Sequence, residues 1–236
     1  MSAPKKYAII VAAGSGRRAG SPLPKQFHTL GGRTVFMHSV IRFLDDAPEV
    51  TVIVVCHPDF IQLVEKEMDG LGAAEWLVIP GGNSRPESVR NGLNAIRTRL
   101  GTGKSALIAV HDAARPLVPA LTIREGWSAA EEFLAAVPAI PVTDSLRQLT
   151  DGDGRSEAVD RSRFVAVQTP QVFRADILLR AYDRPKGDFS FFTDDASLVE
   201  ASGVPVTLYP GSPENIKITH PHDFAIAEAI LREAGN

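Results

Sequence analysis

The chain is predicted to adopt an α/β fold, and three features of the sequence support this. Runs of consecutive apolar residues recur along it, segments with helical periodicity separate them, and one polar segment surrounds an Asp-Gly-Asp-Gly turn. Strands that are apolar throughout are buried on both faces, which is typical of a parallel sheet covered by helices. We therefore expect a Rossmann-like, mostly parallel sheet with helices on both faces, from which a β-hairpin arm projects.

The N-terminal half supplies most of the predicted sheet. Residues 7–13, Tyr-Ala-Ile-Ile-Val-Ala-Ala, are apolar and partly β-branched, and Gly14 ends the run. This pattern predicts a buried strand that leads into a tight loop. Residues 58–71 have a helical pattern with a proline near the start and glycines near the end. Residues 85–100 are predicted to be helical because apolar residues at 89, 93 and 96 fall on one face. Further strands are predicted at residues 50–56, 75–80, 105–110 and 135–142.

The polar segment 145–160 predicts the arm, because short flanks surround its Asp-Gly turn. An arm with little apolar core needs a surface to pack against, and a second subunit is the simplest candidate. We expect one domain over residues 1–236, with an arm at about 143–163 inserted for dimerisation. After the arm the sequence predicts a return through 165–172, helices from 174 and near 194–201, a strand at 204–209 and a last helix at 221–233.

Composition limits the classes of function. The 236 residues are 44% hydrophobic and 22% charged, as in a soluble globular domain, and the net charge is −3. This charge provides no overall basic field for nucleic acid or an anionic membrane, and no apolar run approaches the roughly 20 residues that span a bilayer. Cys56 is the only cysteine, so no intrachain disulfide can form. We expect a cytoplasmic protein with Cys56 buried in its core.

The first strand runs into a loop suited to a polyphosphate. Glycines at 14 and 16 allow backbone N–H groups to approach an anion closely, and Arg18 and Lys25 add positive charge. The stretch from Gly14 to Ala19 also fits the dinucleotide fingerprint G-x-G-x-x-A. Prolines at 22 and 24 favour an extended loop instead of the helix that this fingerprint needs. A glycine turn without a ligand is a further alternative.

Two other segments lie where parallel strands are predicted to end. Asp112, in His-Asp-Ala-Ala-Arg at 111–115, is able to hold Mg²⁺ directly or through water, or a sugar hydroxyl. Alternatively, it caps the next turn and pairs with Arg115. In Gly-Gly-Asn-Ser-Arg-Pro-Glu-Ser at 81–88, small residues allow a flat base to lie against the backbone, with Ser88 as a hydrogen-bond partner. The alternative there is a glycine turn with a helix cap.

Together these motifs closely resemble one enzyme family. In chain order they are joined by Val-Asp-Arg at 159–161, Thr-Pro-Gln at 169–171, Thr-Asp-Asp-Ala-Ser at 193–197 and Asn-Ile-Lys-Ile-Thr at 215–219. The set resembles the 2-C-methyl-D-erythritol 4-phosphate cytidylyltransferases of the non-mevalonate isoprenoid pathway, from residue 7 to about residue 231. The resemblance implies the sheet of nucleotide-diphospho-sugar transferases and transfer of CMP from CTP to the substrate's phosphate, with release of pyrophosphate. It also implies dependence on Mg²⁺ or another divalent cation, and a homodimer in which each arm completes the partner's site.

The resemblance assigns roles by position. Catalytic residues at the α-phosphate would be Arg18, Lys25 and Lys217. Residues around the nucleotide would be Ala12, Ala13, Gly14, Gly16, Gly81, Asn83, Ser88 and Ala114. Residues that bind the methylerythritol phosphate would be Asp112, Arg115, Ser145, Arg161, Thr169 and Thr193, with Asp112 also the candidate metal ligand.

Four positions depart from the family pattern without removing a charged group from the expected chemistry. Val11, Asn83, Ser145 and Asp195 stand where Pro, Asp, Thr and Glu, respectively, are frequent. If the backbone reads cytosine, Asn83 matters little. Alternative functions are cytidylyl transfer to another polyol phosphate such as ribitol 5-phosphate, guanylyl or uridylyl transfer, or a non-catalytic nucleotide-binding regulatory protein. The retained arginines and lysines favour an enzyme, because a sensor does not need every charge that stabilises a transition state.

Overall fold

A central eight-stranded sheet organises the chain. The computed structural model describes residues 3–14, 23–72, 74–100, 106–150, 154–183, 189 and 192–234. The strands of the central sheet are β1 (Lys5–Ala12), β4 (Thr51–Cys56), β5 (Trp76–Pro80), β6 (Ala106–Asp112), β7 (Ala135–Pro141), β10 (Val165–Val167), β11 (Gln171–Arg174) and β12 (Thr207–Pro210). Two small hairpins complete the strands: β2 (Thr29–Leu30) with β3 (Arg33–Thr34), and β8 (Arg147–Leu149) with β9 (Ser156–Ala158).

Helices connect the strands. They are α1 (Val35–Asp46), α2 (Ile61–Met68), α3 (Arg85–Leu100), α4 (Ala120–Phe133), α5 (Ala175–Tyr182), α6 (Asp195–Glu200) and α7 (His222–Ala234). Short 3-10 turns at Lys25–Phe27, Pro58–Phe60, Asp69–Leu71 and Arg161–Arg163 join some of them to the strands.

The sheet is parallel in its first half and mixed in its second. Its hydrogen-bonded order is β10-β7-β11-β6-β1-β4-β5, with β12 paired to β7. Strands β6, β1, β4 and β5 run parallel, whereas β11 is antiparallel to both β6 and β7. The predicted mostly parallel sheet is therefore confirmed, and β11 is an antiparallel insertion between two strands of the same sheet.

Both faces of the sheet are buried, as the continuous apolar strands predict. On one face Ile10 packs in a core with Phe43 and Trp127, and on the other Ile9 packs with Leu93 and others from α3 and α5. Neighbouring residues of a strand point to opposite faces, so one apolar run contributes to both cores.

Most predicted elements are confirmed with small shifts at their ends, and α3 has the predicted bounds. The sequence analysis did not assign α1 and α4, and the return through 165–172 contains parts of two strands, β10 and β11. The predicted arm is a hairpin, with Arg147 paired to Ala158 and Leu149 paired to Ser156. Residues 101–105 and the Asp-Gly-Asp of the arm turn lie outside the described residues. None of the helices in the described part of the chain combines the length and the apolarity needed to cross a bilayer.

His111 is a fully buried polar residue in the last part of β6. Its Nε2 is 3.0 Å from the Arg115 carbonyl oxygen and its Nδ1 is 3.1 Å from the Thr169 hydroxyl oxygen. The imidazole is therefore neutral. Its Nε2–H donates to the Arg115 carbonyl, and its Nδ1 accepts from the Thr169 hydroxyl. Burial lowers the pKa of His111 to about 4, although the bond to Arg115 favours the charged form.

We expect this histidine to make the protein less stable as the pH falls from about 6.5 to 4. In that window the unfolded chain protonates His111 while the folded chain keeps it neutral, so the unfolded state binds more protons. Between the ordinary pKa and a folded pKa of about 4, the loss is about 3 kcal/mol. Urea unfolding at several pH values should show that His111→Gln removes most of this slope, whereas His222→Gln, at a side chain 73% exposed, leaves it. If the free energy of unfolding falls with pH equally in His111→Gln and in the unaltered chain, His111 is not the cause of the pH dependence.

Candidate active site at the carboxyl ends of the parallel strands

Most of the predicted site residues that the structure describes gather where four parallel strands end. In the registers of the sheet, Val11 pairs with Asp112, Ala12 with Cys56, and Cys56 with Pro80. The carboxyl ends of β1, β4, β5 and β6 thus share one edge of the sheet. Ligands of open α/β sheets bind outside this edge, because the loops that follow the strands form a crevice there.

The glycine segment after β5 packs directly on the end of β1. The Gly81 amide donates to the Cys56 carbonyl at 2.7 Å, and a Cβ added at Gly81 would lie 2.5 Å from the Ala13 Cβ. The Ser88 hydroxyl accepts from the Gly82 amide at 3.1 Å and donates to the Ser84 carbonyl at 2.9 Å. Ser88 therefore organises this segment from α3. The sequence analysis expected its hydroxyl to bind a base.

Asn83 is exposed, and its contacts are through the backbone. Its amide donates to the Glu87 carboxylate at 2.8 Å, so Glu87 holds this turn from the first turn of α3. Ala114, on the loop after β6, is buried, and its carbonyl accepts from the Ile218 amide at 2.8 Å. This bond fastens the 215–219 segment beside the end of β6.

Gln26 connects the end of β1 to the turn that carries Lys25. Its Nε2 donates to the carbonyls of Ala12 at 2.6 Å and Gly14 at 2.8 Å, and its side chain is buried. Gln26 was given no role in the sequence analysis. The predicted residues Gly16 and Arg18 lie outside the described residues.

A cavity of about 160 Å³ lies beside the end of β6. Five predicted residues line it and come from four distant parts of the chain: Asp112, Arg115, Thr169, Thr193 and Lys217. The structure adds Arg85, Val167, Gln168, Gln171 and Asp194, which the sequence analysis did not assign to a site. Their positions in the sequence could have indicated this. Arg85 and Gln171 belong to the motifs at 81–88 and 169–171, and Asp194 directly follows the predicted residue Thr193.

Asp112 is the electrostatic centre of this cavity. Lys217 Nζ lies 2.6 Å from its Oδ2, and Arg85 Nε lies 3.1 Å from its Oδ1. Burial alone would raise the pKa of Asp112, but the charges of Arg85 and Lys217 hold it well below its usual range. Arg115 instead donates through Nη1 to the Asn215 carbonyl at 2.6 Å. The alternative in which Asp112 forms its ion pair with Arg115 is therefore wrong for this chain.

The predicted arm residues lie elsewhere. Ser145 and Arg161 are exposed and do not line the cavity around Asp112. Arg161 donates through Nη1 to the Thr143 carbonyl, which folds the base of the arm. It also lines a separate groove of about 630 Å³ that contains Phe164, Val165 and other apolar residues of β7, β10 and β12.

With this geometry in place, comparison with known proteins decides the family. A family model described as 2-C-methyl-D-erythritol 4-phosphate cytidylyltransferase matches residues 7–233. The chain belongs to this family. A protein of that name from Bacteroides thetaiotaomicron is 43% identical over 232 residues, which span 96% of this chain and 100% of that protein. Another, from Porphyromonas gingivalis, is 44% identical over 233 residues, which span 96% of this chain and 98% of its own length.

Solved structures of the family have the same fold. The 4-diphosphocytidyl-2C-methyl-D-erythritol synthase from Anaerococcus prevotii superimposes with a TM-score of 0.82 at 25% identity, covering 97% of this chain and 96% of that one. The family resemblance and the fold class predicted from the sequence are confirmed. The roles of the individual site residues stay predictions.

Gly81 offers a direct test of the packing that forms the floor of the site. We expect Gly81→Ala to lower the free energy of unfolding by about 1–3 kcal/mol, because a methyl group must displace Ala13 or the backbone beside it. Gly70→Ala is the matched control, since a Cβ there meets no atom within 4 Å. Urea unfolding of both variants provides the comparison. Equal free energies of unfolding for Gly81→Ala and Gly70→Ala would show that the turn after β5 accommodates the methyl group without cost.

Proposed function

We propose that this chain transfers CMP from CTP to 2-C-methyl-D-erythritol 4-phosphate, which gives 4-diphosphocytidyl-2-C-methyl-D-erythritol and pyrophosphate in isoprenoid precursor biosynthesis. One observation supports placing this reaction at the cavity beside β6. Lys217, Arg115 and Arg85 converge with the hydroxyl residues Thr169 and Thr193 on one cavity at the carboxyl edge of the sheet. Such a cavity suits an acceptor that carries both a phosphate and hydroxyl groups.

The reaction needs charge stabilisation more than a base. The attacking group is already a phosphate oxygen, and the obstacle is the repulsion between two polyanions. Cations fixed beside the α-phosphorus lower that repulsion and stabilise the charge of the transition state. Lys217 is suited to this role because its Nζ, 2.6 Å from Asp112, is held at the cavity while its side chain stays 44% exposed.

The nucleotide would lie along the end of β1. Backbone amides near Gly14, with Arg18 and Lys25, would bind the triphosphate, and cytosine would lie against Ala13 and Gly81. The two bonds that Gln26 donates to carbonyls at 12 and 14 support this proposal, because they hold the Lys25 turn against the strand end. Asn83 would then contribute mainly through its backbone, which agrees with its amide contact to Glu87.

The residues of the cavity fit a magnesium ion held jointly with the nucleotide. Among the described residues no group of three or more His, Cys, Asp or Glu side chains forms a ready cation cage. Mg²⁺ in such enzymes commonly binds one or two carboxylates together with substrate phosphates, and Asp112 offers one carboxylate. When bound, the ion would neutralise charge on the triphosphate. Asp112 would hold it directly or through water, alongside its contacts to Arg85 and Lys217.

A homodimer is part of the proposal. Ser145 and Arg161, which the family resemblance places at the acceptor, lie on the arm and outside the cavity of their own chain. Large apolar side chains are exposed on and near the arm, including Leu149 at 79% and Leu208 at 52%. A second subunit would cover this surface and receive the arm residues at its own cavity.

We also propose a cytoplasmic location. The single cysteine cannot form an intrachain disulfide, and burial raises the pKa of Cys56 to about 11. A buried thiol of this kind behaves as a small apolar core residue, as is common in reducing compartments.

Pyrophosphate release from purified protein tests the reaction. With CTP, Mg²⁺ and methylerythritol phosphate we expect turnover, and we expect Lys217→Gln to lower kcat by about 10²- to 10³-fold because a charge at the transition state is lost. Lys66→Gln, at an exposed lysine of α2, serves as the matched control. Unchanged kcat in Lys217→Gln would remove this lysine from the mechanism.

The same assay separates the alternative functions. Release with ribitol 5-phosphate and not with methylerythritol phosphate would retain the mechanism and change the acceptor, and competition by GTP or UTP would report the base. CTP binding by folded protein without turnover on either acceptor would favour a regulatory protein.

Mixed dimers test the exchange of arms. If Arg161 acts in the partner's site, a dimer of Lys25→Ala and Arg161→Ala chains contains one intact site and one doubly altered site. Two inactive preparations should therefore regain activity when they are mixed under conditions that exchange subunits. No recovery in mixed dimers verified by differential tags would place Arg161 in its own chain's site or outside any site.

A further inference from the structure

A row of hydrogen-bonded charged and polar groups leads from α5 into the cavity. The Tyr182 hydroxyl donates to Asp195 Oδ1 at 2.5 Å, and Arg85 Nη1 donates to Asp195 Oδ2 at 2.9 Å. Arg85 Nε then donates to Asp112 Oδ1 at 3.1 Å, and Lys217 Nζ to Asp112 Oδ2 at 2.6 Å. Arg85 thus joins two carboxylates, one inside the core and one at the site.

Only the outer part of this row reaches the cavity. Arg85, Asp112 and Lys217 line it, whereas Asp195 and Tyr182 do not. Asp195 is fully buried and Tyr182 is 5% exposed. Their side-chain hydrogen bonds connect these two residues to the cavity through Arg85.

A buried carboxylate is costly to a fold, and an apolar pair often stabilises a core as well or better. At Asp195 the cost is offset by one guanidinium and one phenol hydroxyl. The two bonds from Arg85 leave through different nitrogens, so the planar guanidinium is fixed in orientation between its two acceptors. A lysine at this position would lack that fork.

The fixed position of Arg85 makes it easier for Lys217 to leave Asp112 and bind a substrate phosphate. Lys217 has one carboxylate partner in the described structure, and a substrate phosphate would compete with that partner for its ammonium. When Lys217 moves to the phosphate, Asp112 keeps a cation at 3.1 Å only if Arg85 stays in place. Without Arg85, Asp112 would hold Lys217 more strongly, because the guanidinium that lies against Oδ1 would no longer share its charge.

We propose that Asp195 and Tyr182 are positioning residues that hold Arg85 on Asp112, so that Lys217 is free to bind the transferred phosphate. The inference rests on the proposed function, since it assigns the row of groups to the phosphate-transfer step. It predicts that changes at Asp195 and Tyr182, whose side chains do not line the cavity, lower turnover while the Kd of CTP stays unchanged.

The test measures four quantities in Tyr182→Phe, Asp195→Asn, Arg85→Gln and Arg85→Lys: kcat and KM for methylerythritol phosphate, the Kd of CTP by calorimetry, and the Tm. We expect Arg85→Gln and Asp195→Asn to lower kcat by about 10- to 100-fold, the usual effect of losing a group that orients a functional side chain. Tyr182→Phe should lower it by a smaller factor and Arg85→Lys should be intermediate. The Kd of CTP should not change.

Two controls distinguish positioning from general loosening. Arg99→Gln removes an exposed ion pair of the same helix, in which Arg99 lies 2.7 Å from Glu75, and should leave all four quantities unchanged. The double variant Tyr182→Phe with Arg85→Gln should be no slower than Arg85→Gln alone, because both changes act through one guanidinium. Additive losses in kcat, or a rise in the Kd of CTP that parallels a fall in Tm, would overturn the proposal.

The result is separable from failure of the proposed function. If the unaltered chain releases no pyrophosphate, the function itself is overturned. If it turns over and Tyr182→Phe matches it, only the positioning role fails. Should Asp195→Asn not fold, Tyr182→Phe decides the matter, because it removes a single hydroxyl and leaves the Asp195–Arg85 pair intact.

Discussion

The ionised carboxylate of Asp112 is the constraint on which the rest of the site depends. It lies at the end of a strand whose residues are all buried, where an unpaired charge would be costly. Two distant segments answer this need: α3 brings Arg85 and the 215–219 segment brings Lys217, each within ion-pair distance of the carboxylate. The loop before β11 adds Thr169, whose hydroxyl accepts from the backbone amide of Asp112 at 3.1 Å. The same groups that stabilise the carboxylate line the cavity.

The antiparallel strand β11 makes this arrangement possible. Strand β11 lies between β6 and β7 and runs opposite to them. The loop that precedes β11 therefore lies at the edge of the sheet where β6 ends. Gln168 and Thr169 in that loop bind Asn215 through its Nδ2, at 3.3 and 2.8 Å, which places Lys217 two residues further on. A purely parallel sheet would have put these residues at the opposite edge.

The features that could be predicted from the sequence are those encoded in local patterns of residues. Apolar runs predicted the strands because both faces of the sheet are covered, and the motifs predicted five residues of one cavity. Sequence reasoning did not reach the pairing of Arg85 with Asp195, which are 110 residues apart, because no periodicity relates them. Nor did it assign a role to Gln26, whose two bonds to backbone carbonyls depend on how a turn folds back on β1. Such contacts follow from tertiary packing, which a single sequence does not display.

The size of the cavity bears on why a second subunit belongs in the proposal. About 160 Å³ is smaller than the roughly 300–1,000 Å³ of typical small-molecule pockets, and the proposed reaction would bring two charged substrates together here. In the proposed dimer, the partner's arm would supply further walls. The arm carries two of the predicted acceptor residues away from their own cavity, and its exposed apolar side chains need cover. In the proposed dimer, an arm that reaches a neighbouring cavity would answer both needs with one contact surface, so formation of the dimer would complete the site.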